Sequence, residues 1–166
     1  MRYLFLATVY LATMFSCNSK EGKYRKFVEQ YKDENFEVFK NTSMFIRSAA
    51  SDGGKIIFAY DEPISSTLNN GAYVITIDDT RKKIKNTSCH LMKDSTVVDK
   101  EKLERLVIKF IEYPISYLGV DSSNNVFINL KVNESPDLIR FSDLKYKTEK
   151  YKNWKRVKEN WYENKE

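Results

Sequence analysis

A catalytic nucleophile needs a base beside it and a metal needs a cluster of ligands. This sequence is short of both. It holds one histidine, His90, and two cysteines, Cys17 and Cys89. A lone histidine excludes a multi-histidine metal centre, and adjacency does not make Cys89 and His90 a pair. On a strand, neighbours point to opposite faces, so Cys89 reads as a buried thiol and His90 as a half-exposed structural residue. The adjacent acids Asp61-Glu62 and Asp78-Asp79 could serve as general acid and base or hold Ca²⁺. Each pair sits at a strand end beside a turn, where acids recur because their side chains bond local backbone. Ser65-Ser66 lies in a loop with no nucleophile elbow and no base nearby. "DSSNN" (121–125) reads as Asx-turn material. Gly53-Gly54 sits between strands, with no helix to receive a phosphate. No catalytic residue, metal site or cofactor is expected. A hydrolase would require Asp61, Glu62, Asp78, Asp79 or His90 to meet in one cleft.

The residues biased toward binding are at the C-terminus. Residues 144–166 carry eight Lys/Arg against four Glu, net +4, whereas residues 17–143 carry 19 of each sign, net zero. Both tryptophans, Trp154 and Trp161, fall in this segment, with Tyr146, Tyr151 and Tyr162. A binding surface is expected on Trp154, Arg156, Lys158, Trp161 and Tyr162, since basic charge attracts and Trp and Tyr anchor interfaces. The plainer reading of the segment, and the one ranked first, packs these aromatics into the fold, with solvated lysines protecting a sheet edge. Nucleic-acid binding also interleaves bases and aromatics, but the address read from the N-terminus argues against it.

That address begins with Met1-Arg2 and an uncharged run, Tyr3 to Ser16, of 14 residues. A membrane-spanning helix needs about 20, so the run reads as a secretory signal peptide. Ser16-Cys17 follows, and Met14-Phe15-Ser16-Cys17 resembles the lipobox of bacterial lipoproteins. The resemblance implies that the peptide 1–16 is removed and that Cys17 carries lipid, palmitate among its acyl chains. Residues 17–22 then form the lipidated tether. It also implies a cell-envelope location, most plausibly the outer membrane, since Asn18 is not the Asp that retains such proteins at the inner one. With Cys17 lipidated, Cys89 has no partner for an intramolecular disulfide. The ending Asn160-Trp161-Tyr162 is similar to that of some small bacterial envelope proteins of unknown or immunity-like function.

The elements that must position these residues follow from periodicity. Tyr24, Phe27, Val28 and Tyr31 recur at helical spacing from Lys23 onward. The period then changes to two. "SMFIRSAA" and "KIIFAYD" read as a hairpin around Asp52-Gly53-Gly54, and "AYVITID" (72–78) and "KIKNTSCHLM" (83–92) as another. A second helix, capped by Asp99, carries Leu103, Leu106, Val107, Phe110 and Ile111 and stops at Pro114. "ISYLGVD" and "NVFINLKV" form a hairpin around Ser122–Asn125, and "DLIRFS" (137–142) adds a strand. Residues 23–166 are expected to form a single α+β domain: an antiparallel sheet of about seven strands, with both helices packed on one face.

These observations predict a non-catalytic, lipid-anchored envelope protein that binds another protein, in an immunity-like or accessory role. A glycan or small-ligand binder using exposed Trp and Tyr is the alternative, and an envelope hydrolase comes third.

Overall fold

The computed structural model describes residues 20–49, 54–60, 72–78, 80, 82–90, 100–132 and 136–165. Cys17, Asp61, Glu62, Ser65, Ser66, Asp79 and Asp99 lie outside the described residues, as does the turn at Asp52-Gly53.

Helix α1, Lys20–Tyr31, begins three residues before the expected Lys23. Its stripe behaves as the spacing requires: Tyr24, Phe27 and Val28 are buried and Tyr31 half-buried. Strands β1 (Thr42–Ala49), β2 (Lys55–Tyr60), β3 (Ala72–Asp78) and β4 (Lys83–His90) follow. Helix α2, Lys100–Phe110, buries Leu103, Leu106, Val107 and Phe110. The chain continues through β5 (Tyr117–Val120), β6 (Val126–Asn129), β7 (Leu138–Arg140), β8 (Lys155–Lys158) and β9 (Trp161–Glu163). The result is α+β.

Among the described residues, nine strands join one sheet, in the order β4-β3-β2-β1-β5-β6-β7-β9-β8, and each of these pairings is antiparallel. The two strands beyond the expected seven are β8 and β9, both from the basic tail. Its charge density and short apolar stretches hide the alternation that marks a strand. The tail hairpin turns at Glu159, whose φ of 49° is left-handed.

Both helices contribute to one core on one side of the sheet, with Met44, Ile57, Ile75, Leu118, Ile128, Leu138 and Trp161. They do not stack as a shared cover. Helix α1 lies against β8 at one edge, and α2 against β2 and β4 toward the other. On the opposite side, Ile139, Phe141 and Tyr162 form a second, smaller core. It is lined by Phe127, Tyr146, Tyr151 and Trp154 and closed by two short 3-10 turns, Leu144–Tyr146 and Glu149–Tyr151.

The closing loops are held by side chains. Asp121 Oδ1 accepts from the backbone N–H of Ser123 (2.9 Å) and Asn125 (2.8 Å). Its Oδ2 accepts from Asn125 Nδ2 at 2.9 Å. Asn125 Oδ1 in turn accepts from the Ser142 N–H at 3.0 Å. "DSSNN" is therefore an Asx turn, with Asn124 left-handed at φ 62°, tied to the chain leaving β7.

Candidate interaction surface

Strand alternation breaks up the surface expected in the tail. Trp161 and Tyr162 are consecutive on β9, so they point to opposite faces. Trp161 is fully buried on the helix side. Phe27 meets it edge-on at 6.2 Å, and the Arg140 guanidinium lies 5.5 Å from its ring centre. Its Nε1 is buried without a hydrogen-bond partner. Tyr162 is buried on the other side against Phe141 (5.5 Å), with Lys147 Nζ 4.3 Å above its ring. Trp154 is half-buried, edge-on to Tyr151 at 5.6 Å. Arg156 is exposed, and its Nε donates to Glu159 O at 2.5 Å. Lys158 pairs with Glu29 across the edge at 2.7 Å; that bond pulls the Glu29 carboxyl below its ordinary value. The expected set of Trp154, Arg156, Lys158, Trp161 and Tyr162 is thus divided between two cores and an edge strand. It does not form one surface, because the two largest members are packing residues. An exposed tryptophan platform for a glycan is ruled out at Trp161 for the same reason.

Another polar grouping is also structural. At the C-terminal end of α1, Glu34 Oε1 accepts from the Tyr113 hydroxyl at 2.9 Å, with Lys109 Nζ 3.8 Å away. Arg140 Nη1 donates to Glu34 O at 2.8 Å, while its guanidinium sits 5.1 Å over Phe36. Burial raises the Tyr113 pKa, helped by Glu34, and lowers that of Arg140. This network closes the end of the main core. Among the described residues, no group of His, Cys, Asp and Glu could hold a metal ion. In β4, Cys89 is in register with Tyr73 and His90 with Ala72.

A grouping that sequence reading missed lies on the sheet face away from the helices. Phe45 on β1 is opposite Phe58 on β2 and Tyr117 on β5. The next row runs Tyr60, Ser43, Gly119 and Phe127. Phe45, Phe58, Tyr60, Tyr117 and Phe127 are each half-buried, and none of the first four belongs to either core. Phe45 stacks on Phe58 at 5.3 Å and on Tyr60 at 5.9 Å, both at 12° between ring planes. Gly119 makes room for Tyr117: a Cβ there would run into the Tyr117 hydroxyl and meet Ser43 Oγ at 3.3 Å. The Tyr117 side chain therefore lies diagonally across the glycine and bonds Ser43, and burial raises its pKa. Burial raises the Tyr60 pKa as well.

The sequence did carry a signal for this ridge. In a one-sided antiparallel sheet, outward positions are commonly polar. Here the residues out of phase with the core are Phe45, Phe58, Tyr60, Tyr117 and Phe127. Among the described residues, the helices lie on the opposite side. The turns between Asp143 and Trp154 pack only against the β6-β7-β9 end. Among the described residues of β1, β3 and β4 around the ridge, Arg47, Lys83 and Lys85 are exposed and the one acid, Asp78, is half-buried.

Compared with known protein families, characterised proteins and solved structures, the chain matches none. Among the described residues, no helix is long and apolar enough to cross a membrane.

Proposed function

We propose that this chain is a lipid-anchored cell-envelope protein that acts by binding another protein, without catalysis, and that the partner docks on the aromatic outer face of the sheet. The anchor in this reading is Cys17, and the location is the outer membrane. The observation that carries the docking surface is the ridge Phe45-Phe58-Tyr60. Contiguous half-buried aromatics on a face without described cover mark an interaction site. Rings stacked at 12° face one another, so they offer a ligand their edges. A glycan is held by flat ring faces, whereas ring edges and grooves between side chains suit a protein surface. With three exposed cations and one half-buried acid on β1, β3 and β4, the partner surface is acidic. An immunity-like role and an accessory role in an envelope complex both use such a surface.

The test is crosslinking capture from the native envelope with the full lipidated chain, compared with Phe58→Asn and Arg156→Glu variants. The reading expects one protein, crosslinked through an acidic stretch to β1 or β2, lost with Phe58→Asn and retained with Arg156→Glu. Capture that ignores Phe58→Asn, or crosslinks that map to the tail, would refute it.

A further inference from the structure

We propose that one end of the domain is built to lie against an anionic lipid surface: the first turn of α1, the segment Leu130–Val132 and Lys165. This rests on the proposed lipid anchor at Cys17. Helix α1 includes Lys20, which is only three residues after the lipidated Cys17 in sequence. Three residue steps span at most about 10 Å, and two acyl chains hold Cys17 at the membrane interface. The N-terminal turn of α1 must then stand within the headgroup layer or directly on it. A longer tether would leave the domain free to tumble; this one fixes which end faces the lipid.

The residues grouped at that end suit the contact. Tyr24, in the second turn of α1, hydrogen-bonds Asp137, and burial, reinforced by that carboxylate, raises the Tyr24 pKa. Asp137 Oδ2 also accepts from the Leu130 N–H at 3.3 Å, and Asp137 O accepts from the Asn164 N–H at 2.9 Å. Asp137 thereby ties the start of α1 to the end of β6 and the end of β9. Val132, two residues beyond Leu130, is 76% exposed, the most exposed large apolar side chain among the described residues. Lys23, Lys131 and Lys165 at this end are exposed. Of the described acids at this end, Asp137 and Glu163 are buried, Glu163 pairs with Lys155 at 3.6 Å, and Glu21 stands between Lys20 and Lys23 in the first turn of α1. An apolar tip beside exposed lysines is the composition that binds an interface carrying anionic headgroups. The β5–β6 turn at Asp121–Asn125, at the opposite end of β6, faces away from the lipid.

The experiment places the photocrosslinker benzoylphenylalanine at Val132 in the full lipidated chain and, in a second variant, at Ser122. Each protein is reconstituted in vesicles of phosphatidylethanolamine with phosphatidylglycerol, irradiated and analysed by mass spectrometry. Phospholipid adducts are expected at position 132 and not at 122. Lys131→Glu with Lys165→Glu should reduce the adduct yield at 132. An acylated Cys17 peptide with adducts only at 122, or equally at both, overturns the orientation and leaves the anchor standing. A Cys17 peptide without acyl mass overturns the anchor, and the orientation with it.

Discussion

Replacing Trp161 by Ala separates a packing tail from a recognition tail. The side chain is fully buried, so truncation removes a large aromatic from the main core. Changes of this kind cost about 3–5 kcal/mol. The contacts with Phe27 and Arg140 lie within that figure. With a urea slope of about 2 kcal/mol/M for a domain of this size, the midpoint should fall by about 2 M. Far-UV circular dichroism is the suitable probe, because the substitution itself alters tryptophan fluorescence. The orphaned Nε1 adds a second arm. Trp161→Phe gives up volume worth about 1 kcal/mol, but it also removes a buried donor whose lack of a partner costs about 1–3 kcal/mol. That variant should therefore be as stable as the native protein or more stable by up to about 2 kcal/mol. A Trp161→Ala midpoint equal to wild type would show that the indole is not a core residue. The β9 register and the assignment of the tail to the sheet would then fail together.

Three further outcomes follow from the same geometry. Burial raises the pKa of Tyr24 and Tyr113 in the folded state, so folding favours their protonated forms. Stability should hold below the ordinary tyrosine value of about 10 and fall as pH rises above it, where the unfolded chain ionises first. Urea midpoints measured across that range should decline less steeply in a Tyr24→Phe/Tyr113→Phe variant, and an unchanged decline would assign the effect elsewhere. Gly119→Ala should destabilise by more than about 1 kcal/mol through overpacking but cost little in a Tyr117→Ala background; additive effects in that cycle would deny the diagonal packing. Asp121→Ala removes three hydrogen bonds from the β5–β6 turn and should cost about 2 kcal/mol, read as a shifted midpoint with unchanged slope.

The parts of the fold legible in the sequence were those where one period dominates. Tyr24, Phe27, Val28 and Tyr31, and likewise Leu103, Leu106, Val107 and Phe110, mark helix faces that the core then covers. Strands β1 to β7 announce themselves by alternation and by turn residues such as Asp121 and Asn124. The tail was opaque because charge interrupts it: β8 reads KRVK, with one apolar residue, and β9 reads WYE, with its two aromatics adjacent. Composition there pointed to recognition, whereas pairing with β7 buries Trp161 on one side and Tyr162 on the other. The outer ridge was missed for the opposite reason. "KIIFAY" and "YLGV" are apolar on both faces, so the pattern identifies strands without saying which residues the helices leave uncovered.

The charge of the tail has a structural account that needs no ligand. An open sheet of nine strands has two edges, and an unprotected edge invites pairing with another chain. Among the described strands, the edges are β4 and β8. Their sequences are KIKNTSCH and KRVK, so each begins with lysine and each is more basic than the strand beside it. On β8, Lys155 pairs with Glu163 and Lys158 with Glu29. The edge is thus charged outward while its partners remain tied to the neighbouring strand and helix. Replacing Lys155 and Lys158 by Val should therefore produce concentration-dependent association, seen as growth in light scattering with protein concentration, together with a lower urea midpoint because the buried Glu163 loses its cation. If the variant stays monomeric, edge protection is not why these lysines are there, and the tail's charge would have to be explained by recognition after all.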